Sequence, residues 1–447
     1  LNFAGMKSFL SLAPHENNVS IGASSLILTL PMPEGGFEHF RIVYSPIMEE
    51  PLAAMFPEIR TYAGQGIEDP TAYIRLDATP QGFHAMVMRT GKSTVFIDPY
   101  AMGDTDLYIA YLRKDFVTNK QMTCDFVGNP AEIVEPSGGN NLRLFGDCIK
   151  RTYRLALSAT GEYTTFHGGT LALAQAAQVT TMNRVNGVYE REFAVRLNLI
   201  ANNNLIVYTN AGTDPFTNGN PGTMITQNQN NTTTVIGSAN YDIGHVFGTN
   251  SGGLAGLGVV CSSTNKARGV TGSGAPVGDP FDIDYVAHEM GHQFGGNHTF
   301  NSNQGACSGN QNNATAMETG SGTTIMAYAG ICGTHNVANN SDDYFHFVSM
   351  REIYAFLLAG GASCDGNPGL TNNQPVLTTL SNFTIPRSTP FVLTGVATDA
   401  DNDPITYCWE QYDNATNTQP PVATNTGGPQ FRSRAPVTSG SRYFPRL

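Results

Sequence analysis

Charge is scarce in this sequence. Only 13% of the residues are Asp, Glu, Lys or Arg, and Gly, Asn, Thr and Ser fill the space that charge would usually occupy. What charge there is leans acidic, 24 Lys and Arg against 36 Asp and Glu, and no Lys/Arg run exceeds a pair. A basic face for nucleic acid or for an anionic membrane surface is therefore excluded. No stretch approaches the roughly 20 continuous apolar residues of a membrane helix, which excludes insertion. Cysteine is also sparse: positions 124, 148, 261, 307, 332, 364 and 408 are scattered, with no C-x-x-C pair to suggest a cysteine zinc site. In an exported protein most of these would form disulfides, and an odd number leaves one thiol in need of a reason. The chain starts at Leu1, so the expectation is that any secretion signal has already been removed. The composition suits a secreted, extracellular, loop-rich and β-rich protein.

A chain of 447 residues, 40% of them hydrophobic, exceeds one ordinary core and predicts two to four domains. Residues 1–147 read as β-rich. Short runs such as Ser24–Met32, Phe40–Ser45, Ala72–Thr79, Phe83–Met88 and Ser93–Tyr100 are separated by Gly/Pro turns, and a linker, "EPSGGNN", begins at Glu135. From 148 to 366 the pattern becomes mixed α/β. Thr152–Thr160, Ala194–Ile200 and Asn204–Thr209 predict strands, and Leu171–Phe193 predicts a helix with one apolar stripe. After a second linker, residues 375–447 alternate again and hold the sole Trp, Trp409. A partial β-sandwich is expected there, because the stretch is shorter than the roughly 100 residues usual for one.

The chemistry concentrates in "HEMGHQFGGNH", His288 to His298. A helix can begin at Asp279 with Pro280 in the tolerant first turn, and Ile283, Val286, Ala287, Met290 and Phe294 give it an apolar side. His288 and His292, four apart, then share one face, at a separation that lets two imidazoles meet one Zn²⁺ at about 2.0 Å. Glu289 lies on the neighbouring face, close enough to act on a metal-bound water without ligating. Gly295 lets the helix end in a left-handed turn so that His298 swings back as a third ligand. Three protein ligands and an open fourth position describe catalytic zinc rather than structural zinc.

His288, Glu289, His292, Gly295 and His298, followed by Met326 in "TTIMAYAGIC", resemble the H-E-x-x-H-x-x-G-x-x-H signature and Met-turn of metzincin metalloproteases. "GGLAGLGVVC" (Gly252–Cys261) and "ARGVTG" (Ala267–Gly272) are similar to the edge strand and following segment of reprolysin-like, or adamalysin-like, catalytic domains. Thr299 stands where adamalysins usually carry Asp, and Tyr328 sits two residues after the Met-turn methionine, as in astacins and serralysins. The resemblance implies a multidomain zinc endopeptidase acting on protein or peptide substrates, its metzincin domain a mixed twisted sheet with an active-site helix. His288, His292 and His298 would hold zinc, and Glu289 would be general base and then general acid. Met326 would form the apolar floor. Tyr328 would be either a mobile fifth ligand that steadies the oxyanion or a packed aromatic. Substrate would add as a strand along Gly253, Leu254, Ala255, Gly256 and Leu257.

The same resemblance implies the disulfides Cys261–Cys364 and Cys307–Cys332, leaving Cys124, Cys148 and Cys408. Many metzincin zymogens fill the open zinc position with a propeptide cysteine. Cys124 would then be a fourth ligand in the latent form and residues 1–147 a pro-domain acting as an intramolecular inhibitor, with cleavage near Arg143, Lys150 or Arg151. The other reading of Cys124 is a disulfide to Cys148. Asp399, Asp401 and Asp403 alternate in "ATDADNDP", which resembles calcium-binding turns of cadherin-like and bacterial immunoglobulin-like repeats, and equally fits a solvated turn. His245 reads as a strand-end residue near the active-site rim or a structural histidine. The overall style looks like exported bacterial proteases, by analogy alone. The function of a different class is an adhesion or carbohydrate-binding protein with a vestigial metal site, and an intact Glu289 argues against it.

Overall fold

Seven strands succeed one another up and down as an antiparallel sheet in sequence order: β1 (Ile27–Pro31), β2 (Phe37–Tyr44), β3 (Arg60–Gly66), β4 (Tyr73–Thr79), β5 (Gly82–Met88), β6 (Val95–Pro99) and β7 (Tyr108–Leu112). Helix α1 (Phe3–Leu10) precedes them and α2 (Glu50–Met55) links β2 to β3. The computed structural model describes residues 1–117, the backbone of 124–127, and residues 146–249, 252–361, 363–366, 369–414, 420–422, 424–425 and 427–445. Period-two alternation decides which face each side chain serves. Ala85 and Val87 of β5, with Val95 and Ile97 of β6, enter a core private to this sheet. Met86, Met88 and Phe96, one step out of register, enter a second core that also contains residues from the C-terminal side of the sheet, among them Tyr153 and Leu155.

A mixed sheet comes next, in the order β10–β9–β11–β13–β12–β8, built from β8 (Cys124–Val127), β9 (Arg151–Ala159), β10 (Val195–Leu199), β11 (Ile243–Gly248), β12 (Gly252–Gly256) and β13 (Gly269–Gly272). Its first four strands in that order are parallel, β12 runs antiparallel to β13, and β8 runs parallel to β12. After a short α3 (Gly161–Phe166), α4 (Leu171–Phe193) lies between the two sheets, against β4 on one side and β10 on the other. The helix has the limits its sequence predicts. The Thr170 hydroxyl accepts the Leu173 N–H at 3.3 Å, and Ala194 turns left-handed at φ 52°.

Several expectations need correcting. α4 is buried almost all round instead of along one stripe, because a sheet covers each side. Its polar residues pair inward: Gln178 donates to the Leu157 carbonyl at 2.9 Å, and Asn186 exchanges hydrogen bonds with Leu197 at 2.7 and 2.9 Å. Asn204–Thr209 does not form a strand. The Asn203 side chain accepts from the Leu157 N–H at 2.8 Å, a 3₁₀ turn forms over Asn203–Ile206, and one bridge joins Val207 to Ala159. α5 (Pro221–Val235), β3 and β7 were not foreseen. Arg151, a suggested cleavage position, is buried and ion-paired to Asp147 and Asp365, whereas Arg143 lies outside the described residues.

Towards the C-terminus, β14 (Phe300–Asn301) pairs with β15 (Glu318–Thr319), and α8 (Phe347–Phe356) closes the mixed unit. Beyond it, β16 (Val376–Leu377) pairs with β18 (Ala397–Thr398), and β17 (Phe391–Thr394) with β19 (Ser441–Phe444). Two stacked sheets, as in a sandwich, are not present among the described residues, and most of 376–398 is exposed. No helix among the described residues is long and apolar enough to cross a membrane.

Candidate metal centre

The histidine stretch belongs to a continuous helical segment made of α6 (Gly278–Phe281), a wide π-type turn over Asp282–Ala287, and α7 (His288–Gln293). It starts one residue before the expected Asp279. The residues of its expected apolar side, Ile283, Val286, Ala287, Met290 and Phe294, are all buried. The π-type widening directly before His288 carried no sequence signal, and such turns recur at functional sites. α7 ends in a left-handed Gly295 at φ 93°, with the Gly296 N–H bonded to the Gly291 carbonyl at 2.9 Å. A side chain at Gly295 would also press on Phe356.

This reversal brings His298 back to the other two histidines. The imidazole centroids of His288 and His292 lie 4.8 Å apart, those of His292 and His298 4.7 Å, and those of His288 and His298 5.3 Å. Each ring is oriented by a backbone carbonyl. Nδ1 of His288 donates to Ile325 at 2.7 Å, that of His292 to Gly296 at 2.7 Å, and that of His298 to Asn310 at 2.8 Å. A carbonyl can only accept, so Nδ1 carries the proton and Nε2 the lone pair. Burial lowers all three pKa values: His288 falls to about 4 and His298 to about 3, and His292, repelled by the other two as well, falls well below its ordinary value. The rings are neutral at physiological pH.

One candidate ligand atom from each residue lies within 4.8 Å of the others. His292 and His298 approach at 3.1 Å between their Nε2 atoms, and Nε2 of His288 is buried without a hydrogen-bond partner. Three buried lone pairs turned on one another form a donor set that a divalent cation satisfies, and an all-nitrogen set suits zinc.

Glu289 is fully buried beside this cage. A Cβ added to Gly253 of β12 would fall 1.8 Å from its Oε1, so the carboxylate rests on the strand at a point that only glycine permits. Met326 lies beneath α7, where a Cβ on Gly291 would meet its sulfur at 2.4 Å. Tyr328, 2% exposed, packs between the His298 and Phe300 rings, each centroid 4.5 Å away. Gly253 to Gly256 lie in β12 and Leu257 comes directly after its end, but this strand is not the sheet's outer edge, because β8 pairs along it with Cys124 opposite Gly253. The Cys124 side chain lies outside the described residues.

Two supports escaped the sequence reading. Glu318, a lone carboxylate in a Gly/Thr-rich loop, accepts from the Thr299 hydroxyl at 2.6 Å, from the Thr323 N–H at 2.8 Å and from the Thr324 hydroxyl. It ties the residue after His298 to the turn carrying Met326, and so gives Thr299 its work. Gln293 donates to the Gly244 carbonyl at 2.9 Å and bonds His245 at 2.8 Å, and His245 in turn bonds Thr271 at 2.8 Å, fixing α7 to β11 and β13. His245 is thus a buried structural residue, its pKa lowered by burial to about 4.

The remaining expectations fall elsewhere. Cys261–Cys364 and Cys307–Cys332 are disulfides. Cys148 is a free thiol, so the alternative Cys124–Cys148 bond is not formed, and Cys408 is free as well. Asp399, Asp401 and Asp403 do cluster. However, Asp399 accepts from the N–H groups of Asp401 and Asp403 at 2.9 and 3.1 Å, and Asp401 accepts from Asn373 at 2.6 Å. These hydrogen bonds hold the shape of the turn.

No curated protein matches the chain. Residues 149–354 match the family model described as metallo-peptidase family M12B, reprolysin-like. That span contains the whole histidine cage, Glu289 and Met326, and the match supports reading it as a reprolysin-like metzincin domain, a zinc metalloendopeptidase.

Proposed function

We propose that the protein is a secreted endopeptidase made in latent form, with residues 148–366 as the peptidase, residues 1–147 as the inhibitory portion and residues 375–447 as an appended immunoglobulin- or cadherin-like part. His288, His292 and His298 would hold zinc. The observation that carries this reading is the convergence of three carbonyl-oriented imidazoles beside the buried Glu289. Zinc bound there supplies Lewis-acid polarisation of the scissile carbonyl and acidifies the attacking water.

The chain's own residues do the rest. Glu289 takes the proton of the attacking water and delivers it to the leaving amine, one carboxylate serving both half-steps. Its seat on Gly253 puts that proton shuttle directly against the strand along which an extended peptide pairs. Tyr328, steadied between His298 and Phe300, offers its hydroxyl to the developing oxyanion. Glu318 and Gln293 keep the third histidine and α7 in place, because a misplacement of about 1 Å at such a site can cost about 10²-fold in rate.

Support for latency is a matter of register. Cys124 stands opposite Gly253 in the ladder, and Gly253 is the residue on which the Glu289 carboxylate rests. A strand edge accepts one partner, so β8 and a substrate compete for β12. In this latent state the thiolate of Cys124 would supply a fourth donor to the metal. The test is bound zinc together with chelator-sensitive cleavage of a denatured protein, before and after limited trypsin treatment. Zinc present throughout with activity appearing only after trypsin is expected. Zinc without any cleavage would return the protein to the binding class.

A further inference from the structure

The portion expected to leave on activation is not held as a removable inhibitor would be. Resting on the latency reading, we propose that activation removes only the stretch containing β8, and that residues 1–117 stay as a permanent, non-covalently held part of the peptidase. Three sets of contacts carry this.

The first is a common core. Leu52, Phe56, Ile59, Met86, Met88 and Phe96 of the N-terminal unit share one apolar cluster with α4 and α7. Gly187 of α4 has no side chain where Arg75 and Met88 press in; a Cβ there would meet Arg75 Cγ at 2.8 Å and Met88 Cε at 3.0 Å. The two surfaces are shaped to each other.

The second is buried charge. Arg113 bonds Asp279 at 2.8 Å and Asp284 at 3.2 Å. Arg184 of α4 joins Asp98 of β6 to Asp282, the latter at 2.9 Å. Glu190 of α4 meets Arg75 of β4 and Arg196, and Arg196 also meets Glu16. Asp279, Asp282 and Asp284 all lie on the helical segment that runs into His288. Withdrawal of residues 1–117 would leave Asp279 and Asp284 on the metal-bearing helix without Arg113, and Arg184 without Asp98, which is strongly unfavourable.

The third is backbone pairing. Leu199 of β10 donates to the Ile47 carbonyl at 2.8 Å, and the Glu49 N–H donates to the Leu199 carbonyl at 2.9 Å. The N-terminal unit therefore covers the edge of the mixed sheet opposite β12. By contrast, β8 touches the sheet through a four-residue ladder.

The experiment uses the full chain with recognition sequences for a site-specific protease placed within 118–123 and within 128–145. After cleavage the protein is run on size exclusion in ordinary buffer and in high salt, and is then melted. Fragment 1–117 is expected to co-elute with the remainder in both buffers, with no loss from the peak, and the complex to unfold in a single transition. Separation of the two fragments under native conditions, or two independent transitions, overturns the proposal. A peptidase assay on the same samples keeps the two readings apart. An intact but inactive complex would sink the latency reading alone, whereas active enzyme in a peak without the N-terminal fragment would sink this proposal alone.

Discussion

The two edges of the mixed sheet are both covered by residues that precede it in the chain, yet they are covered differently. At β10 the covering segment, Ile47–Glu49, joined by a single bridge, belongs to a unit with its own core, a second shared core and several buried ion pairs into α4 and the active-site helix. At β12 the covering strand is β8, four residues beside the glycine that seats Glu289. Both are β-augmentation in form. On the readings proposed above, the first is tied into the stability of the whole molecule, and the second would block the site while contributing little to that stability. A sheet edge is thus structural or regulatory according to what stands behind the strand that fills it.

The most damaging change at the first edge is the loss of Arg184. Arg184→Met leaves Asp98 and Asp282 facing each other without their cation, and a drop of about 3–5 kcal/mol in unfolding free energy is expected from urea titration. A loss under about 1 kcal/mol, the size of an ordinary surface change, would mean the interface carries no weight.

A smaller effect comes from pH. Burial alone would raise the Glu190 carboxyl, but Arg75, Arg196 and Lys150 outweigh it and hold it at about 2, below the ordinary 4.5. A depressed carboxylate contributes its full stability above its unfolded value and loses it as pH falls through the folded one. Urea midpoints should therefore decline between pH 4.5 and pH 2, and Glu190→Gln should flatten part of that decline. An identical pH profile in the variant would show that this carboxylate does not couple the two units.

At the second edge the contrast should appear as activity without a change in stability. Cys124→Ala is expected to shift unfolding by less than about 0.5 kcal/mol, while peptide hydrolysis appears without prior proteolysis. Unchanged latency would remove Cys124 from the blocking role.

Local features were legible in the sequence and distant ones were not. The spacing of His288, His292 and His298, the hinge at Gly295 and the limits of α4 are set by neighbours a few residues away. α5 was missed although Asn220 and Pro221 form a good start signal, because its Thr and Asn residues are weak helix formers. They are held instead by tertiary bonds, Asn228 and Gln229 each bonding Ala267 at 2.8 Å. Glu318 looked like any loop carboxylate until Thr299 and Thr323 closed on it. The docking of residues 1–117 was hidden for the same reason. Arg113 and Asp279 are 166 positions apart, and no periodicity records that they meet.

The central claim is that Glu289 moves the proton at a site the three histidines assemble independently. Glu289→Ala, taken through the same activating cleavage, should retain zinc equimolar with the chain while peptide hydrolysis falls by about 10²–10⁴-fold. Full zinc with turnover within about tenfold of the unaltered protein would contradict the account, since about 10²-fold is the least that a positioned general base contributes.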